Sequence, residues 1–200
     1  MGDNDAARTA TVARSRDAWY DRMNLRRPIL PYSVSETAYV EYDPRVVEAA
    51  KHLIGLIEEV APWVHAEHIG STAIPGCAGK GIVDLMTLYP AGKLAATRDA
   101  LDNLGFERQR TGHAFPEDRP MRIGAFDHNG ARYQSHVHVI AMESPEVISL
   151  RRFRDVLRDN AALRDAYEAK KREILKSGVR ERADYTHAKG EFIRSVIGPS

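Results

Sequence analysis

Apolar residues recur at three- and four-residue spacing through Val46, Val47, Ala50, Leu53, Ile54, Ile57 and Val60. That period predicts an amphipathic helix, with Asp43 as N-cap, Pro44 at the first helical position and Pro62 as its end. From Val64 to Ile69 the pattern switches to alternation. His65, Glu67 and Ile69 fall on one side and Val64, Ala66 and His68 on the other, which predicts a strand. A second, apolar strand is expected over Gly81–Tyr89. Leu94–Leu104 reads as a helix closed by Gly105, and 106–110 as a short strand. Residues 111–121, with Gly112, Pro116 and Pro120, read as a mobile loop. Strands over 121–128 and 132–140 flank Asn129-Gly130, a strong hairpin signal. Helices over about 144–158, 160–176 and 179–197 finish the chain. Upstream, residues 1–12 read as disordered, 13–25 as a helix with Trp19 and Met23 on one face, and the Pro28–Pro31 segment as an extended connector. This order predicts a mixed α/β (α+β) domain, a sheet flanked by helices with a C-terminal helical segment.

Composition narrows the picture in three ways. A chain of 200 residues with 43% hydrophobic content is sized for one domain with a real core. With 29 basic and 28 acidic residues, the net charge of +1 gives no electrostatic case for nucleic acid or an anionic membrane. The single cysteine, Cys77, excludes an internal disulfide and reads as a small, inert loop residue. No apolar run reaches the ~18 residues of a membrane span, and the acidic N-terminus has no signal-peptide pattern. The expected location is the cytoplasm.

The most informative segment joins the first two strands: His68-Ile-Gly-Ser-Thr-Ala-Ile-Pro-Gly-Cys-Ala-Gly-Lys-Gly-Ile-Val-Asp-Leu-Met86. Gly70, Gly76, Gly79 and Gly81 allow unusual backbone and close ligand approach. Gly70, Ser71 and Thr72 supply N–H and hydroxyl groups suited to phosphate oxygens, Lys80 a positive charge, and Asp84 a hard oxygen ligand of the kind Mg²⁺ prefers. The spacing is neither a Walker A loop nor a Rossmann fingerprint. His136 and His138 are two apart on the returning strand and share a face. Arg119, Arg122 and Arg132 are further basic candidates, read first as solvated charge, like Arg151-Arg152 and Lys170-Lys171-Arg172 on their helices.

His68–Met86 resembles the signature of the GrpB family, a branch of the nucleotidyltransferase superfamily related to DNA polymerase beta. So do Tyr42-Asp-Pro-Arg45, His136-Val-His-Val-Ile140, Ser144-Pro-Glu146 with Phe153–Arg158, and Tyr185–Ile193. The resemblance spans about 37–197, which leaves 1–36 as an N-terminal extension and 37–200 as the domain. It implies a nucleotidyltransferase-like mixed sheet. In the superfamily pattern two acids alternate on one strand; Asp84 matches the first, and Met86, a poor Mg²⁺ ligand, stands at the second. The resemblance places the histidine strand beside Asp84. His136 and His138 then complete a site with Asp84 suited to Zn²⁺, Mn²⁺ or Fe²⁺, or one acts as a general base or phosphate partner, or both are satisfied strand residues. Glu67 or His68 is a further ligand candidate, and the resemblance turns Tyr185 and Lys189 toward the cleft.

The expected function is binding of a nucleoside triphosphate, ATP in the first instance, with Mg²⁺, Mn²⁺ or Zn²⁺. A nucleotidyl or phosphoryl group would pass to a small-molecule acceptor. The alternatives are a catalytically degenerate nucleotide-binding module, favoured by Met86, and ATP-dependent joining of two small molecules.

Overall fold

A computed structural model describes residues 27–33, 39–109, 115–176 and 182–197. The elements run α1 (Val46–Val60), β1 (His65–Ile69), a 3-10 turn (Ser71–Ala73), β2 (Val83–Tyr89), α2 (Leu94–Leu104), β3 (Glu107–Arg108), β4 (Met121–His128), β5 (Ala131–Ala141), α3 (Pro145–Asp159), α4 (Ala161–Lys176) and α5 (Arg182–Ile197). The expected disorder over 1–12, the helix over 13–25, part of the loop at 111–121 and the start of the last helix lie outside the described residues.

Five strands form one mixed sheet in the order β1-β2-β5-β4-β3. Only β2 and β5 are parallel, and they sit at the centre, joined by the crossover through α2, β3 and β4. A central strand covered on both sides is apolar on both faces, and β2 is so apart from Asp84 near its start and the buried Thr87. Val83, Leu85, Val137 and Val139 face α1 and α2 and make the main core with Ala49, Ala50, Leu53, Ile57 and Leu101. Ile69, Met86, Leu88 and Ile140 face the other way, against Val147 and Leu150 of α3. The mixed α/β expectation holds.

Local chemistry fixes the connections. Asn129 and Gly130 both take positive φ (48° and 77°), the twist a two-residue hairpin needs between β4 and β5. Ser144 caps α3 by accepting the Glu146 N–H, with Pro145 following it. One boundary moves. The first helix begins at Val46, not at Pro44, because Asp43 closes a separate turn: its carboxylate accepts the Arg45 N–H at 2.9 Å and its carbonyl the Val46 N–H at 3.1 Å.

Residues 27–33, assigned by sequence to the extension, lie along the sheet. Leu30 exchanges two backbone hydrogen bonds with Ala125 of β4, and Ile29 is buried in the main core. This segment packs directly against Gly105, which ends α2 at φ 110°; a Cβ there would stand 2.5 Å from the Ile29 carbonyl oxygen. Gly105→Ala therefore imposes both backbone strain and a clash, and is expected to cost about 1–3 kcal/mol in urea unfolding.

Candidate functional site

β1 ends at Ile69, and Gly70 turns the chain with φ 73° and ψ −173°, a conformation open in practice only to glycine. The register sets Ile69 beside Asp84, and Asp84 beside His136. A Cβ on Gly70 would lie 2.5 Å from Asp84 Oδ2. The missing side chain is what lets the carboxylate rest against the turn. An ionised carboxylate only accepts, so His136 Nδ1–H donates to Asp84 Oδ1 at 3.0 Å. In the neutral ring Nε2 is then the acceptor, and it lies 3.3 Å from the Tyr32 hydroxyl, with the two rings stacked at 5.5 Å. Residues 27–33 thus bring a tyrosine to a histidine oriented by an aspartate. Asp84 keeps 25% of its side chain exposed, whereas His136 keeps 7%.

The glycine loop is held from outside by the C-terminal helices. Arg154 Nη1 donates to the His68 carbonyl (3.2 Å), Arg158 Nε to that of Ala73 (2.7 Å) and Arg164 Nη1 to that of Pro75 (3.3 Å). Lys171 donates to the Ala78 carbonyl, and Glu168 accepts the Ala78 N–H at 2.7 Å. Ile74 and Cys77 pack with Leu157 and Tyr167 in a small core of their own. The turn's own hydrogen bonds run from the Ala73 N–H to the Gly70 carbonyl (3.2 Å) and from the Ile74 N–H to that of Ser71 (3.1 Å), so neither uses the Ser71 or Thr72 N–H group. The Thr72 hydroxyl is committed internally: it donates to the Ile82 carbonyl (2.9 Å) and accepts from His68 Nε2 (3.0 Å). Burial, opposed by Asp84, depresses His68 to about 4, so its ring is neutral at pH 7.

The second-acid position is apolar. Met86 is fully buried, between Glu67 on β1 and His138 on β5 in the register. Glu67 lies on the Asp84 face but is engaged by Arg151, whose Nε stands 2.9 Å away, and by Arg154 at 3.0 Å. Burial would raise its pKa; the two guanidinium groups outweigh this and hold it below the ordinary value. His138 is pushed to about 4 by burial, its ring meets Phe115 edge-on at 5.4 Å, and its buried Nδ1 has no hydrogen-bond partner. Among the described residues no three His, Cys, Asp or Glu side chains gather as a metal cluster. The structure therefore joins Asp84 and His136, sets His138 next along the same face, and ties Glu67 to arginines.

The remaining candidates separate. Lys80 is half-buried at the end of the loop. Tyr185 and Lys189 belong to α5, with side chains outside the described residues. Arg119 forms a bidentate pair with Glu146, 2.7 Å at Nε. Arg122 is buried on the opposite face against Asp102 (2.6 Å), and Arg132 pairs with Asp127 at the surface. Three readings of surface charge are corrected, that of buried Arg122 among them. Lys171 is 2% exposed, its ammonium 3.3 Å from Cys77 Sγ and over the Tyr167 ring, and Arg151 binds Glu67. Helical spacing does not mark Lys171, because its partners, Cys77 and Ala78, lie over 90 residues away. A cavity of about 340 Å³ opens among Val40, Tyr42, Thr72, Gly81 and Tyr133. Tyr133 alternates with Ser135 and Val137 on the α1 face, so this cavity is distinct from the Asp84–His136 side.

A family model described as GrpB protein matches residues 37–198. A UPF0157 protein of Streptomyces coelicolor is 32% identical over 166 residues, covering 80% of this chain and 82% of that protein. Another, from Halalkalibacterium halodurans, is 27% identical and covers 84% and 83%. Among solved structures, conserved protein GrpB from Enterococcus faecalis superposes with a TM-score of 0.63 at 23% identity, over 80% of this chain and 94% of that one. The Cid1 poly(U) polymerase bound to MgATP superposes at 0.51 and 13% identity, over 74% of this chain and 50% of that one. The fold is nucleotidyltransferase-like.

Glu67 gives a pH-dependent test of the bracing. A carboxyl whose folded pKa lies below its unfolded value stabilises fully above the unfolded pKa of about 4.3, and the contribution is lost as pH falls through the folded value. Glu67→Gln is expected to cost about 2 kcal/mol at pH 7. Its deficit relative to wild type should shrink in urea titrations taken progressively below pH 4.

Proposed function

Since the chain belongs to the GrpB family, we propose that it binds a nucleoside triphosphate over the Gly70–Thr72 turn and passes a nucleotidyl or phosphoryl group to a small-molecule acceptor. The observation that carries this reading is the seating of the Asp84 carboxylate against Gly70 and His136 at the end of β1. Phosphate oxygens would meet the Ser71 and Thr72 N–H groups, with Lys80 and, on α5, Tyr185 and Lys189 as further contacts. Such transfer depends on positioning and on cations that neutralise developing charge.

The donor set suits one divalent cation rather than two. Asp84 would hold it with phosphate oxygens, and the unpartnered Nδ1 of His138 marks the neighbouring position where a second protein ligand would come from. Mg²⁺ suits Asp84 with phosphate, whereas Mn²⁺ or Zn²⁺ suits a set that includes the imidazoles. When bound, the cation supplies charge neutralisation at the transferred phosphoryl group. The protein's own part is to hold the loop carbonyls outward, to present the turn's N–H groups, and to keep His136 Nε2 as a proton acceptor. A binding module with little turnover is the second reading, favoured by buried Met86 and by the arginines on Glu67.

Thermal shift with ATP, GTP, CTP and UTP, each with Mg²⁺, Mn²⁺ or Zn²⁺, tests the first step. A ligand at one hundred times its Kd stabilises the native state by about 2.7 kcal/mol. Wild type should rise in Tm with at least one pair, and Asp84→Ala should lose that rise while keeping its fold. An equal rise in Asp84→Ala overturns the assignment. Nucleotide consumption followed in the same samples separates the enzyme from the module.

A further inference from the structure

We propose that Tyr32 is a nucleophile of this site and a self-modification point, becoming O-nucleotidylated when the chain holds a nucleoside triphosphate without an acceptor. The inference rests on the nucleotide-binding reading above and adds the identity of an acceptor group.

Three observations carry it. The Tyr32 hydroxyl lies 3.3 Å from His136 Nε2, while Nδ1 of the same ring lies 3.0 Å from Asp84 Oδ1, so in the neutral ring Nε2 is the nitrogen that accepts. A nucleophile within reach of a base that a third group orients is the arrangement by which hydroxyls are activated, and such contacts run long before substrate binds. The ring is placed by more than this bond. It stacks on His136 at 5.5 Å, Leu30 is fixed to Ala125 through two backbone bonds of 2.7 and 2.9 Å, and the Ser33 N–H donates to Gln134 Oε1 at 3.1 Å. Finally, Tyr32 is half-buried against a buried His136, so its hydroxyl covers the histidine from the solvent side of the pair. Any outside acceptor using His136 as its base must displace the phenol or stand where it stands.

The step balances with the triphosphate as the one co-reactant. Tyr32 Oη forms a bond to the α-phosphorus. The bond from that phosphorus to the oxygen bridging toward the β-phosphate breaks, and pyrophosphate leaves with its electron pair. The phenolic proton passes to His136 Nε2, and the resulting imidazolium is stabilised by Asp84.

The test uses the full chain with ATP and Mg²⁺ or Mn²⁺, no acceptor added, read by intact-mass and tandem mass spectrometry. Binding is measured separately with an α,β-methylene ATP analogue that cannot be cleaved at that bond. The expected result is a gain of one adenylyl group on Tyr32, absent in Tyr32→Phe although that variant binds the analogue as wild type does. In His136→Gln the adduct should form roughly 100-fold more slowly, the scale of a lost general base. Analogue binding without an adduct, or an adduct on another residue, overturns this inference and leaves the nucleotide-binding reading standing. Absence of analogue binding together with no thermal shift for any of the four nucleotides overturns both.

Discussion

The site depends on a steric permission. Asp84 Oδ2 occupies the space where any residue but glycine at position 70 would place a Cβ, and Gly70 itself holds a dihedral pair that other residues avoid. Remove that permission and the carboxylate must leave the turn, the Nδ1 of His136 loses its acceptor, and Nε2 loses the reason to face Tyr32. One absent methyl group thus links the glycine loop, the parallel pair at the sheet centre and the segment over 27–33.

The rest of the architecture keeps that contact in place. β1, β2 and β5 supply the register, and two cores on opposite faces make a slip of one residue costly, because it would turn every inward side chain outward. The loop between β1 and β2 is long and rich in glycine, so it needs outside support. It receives that support from Arg158, Arg164, Glu168 and Lys171 on α3 and α4, each bound to a loop backbone group, and from Arg154, bound to the His68 carbonyl at the end of β1. The helices that look like a separate C-terminal segment in the sequence are therefore the clamp of the candidate site. The same economy explains Glu67: a carboxylate on the Asp84 face, it anchors α3 through Arg151 and Arg154 and stands beside an apolar Met86.

Much of this was legible in the sequence. Local pattern located α1, α2, the three C-terminal helices and all five strands, the short β3 included, and Gly105 and Asn129-Gly130 announced their turns, because these signals are local. The Asp84–His136 pairing followed from family resemblance, not from the residues alone: nothing within the chain's local pattern says that β2 and β5 are neighbours across a crossover. What escaped was long-range. Lys171 and Arg151 look like solvated helix charges until Ala78 and Glu67 arrive from the other end of the domain. Tyr32 follows directly on the Pro28–Pro31 connector, which reads as extended chain, and its place beside His136 appears only when Leu30 pairs with Ala125. The start of α1 moved two residues because Asp43 closes a turn of its own, a competition between local hydrogen bonds that spacing does not resolve.

The central claim, that the missing side chain at residue 70 positions Asp84 and His136 for nucleotide, is tested most directly by Gly70→Ala. The measurement is the Kd for the α,β-methylene ATP analogue with Mg²⁺, taken by calorimetry on wild type and variant after urea unfolding has shown the variant to be folded. The account predicts a folded protein, less stable by about 1–3 kcal/mol, whose affinity falls at least tenfold. An unchanged Kd in a folded Gly70→Ala protein would contradict it.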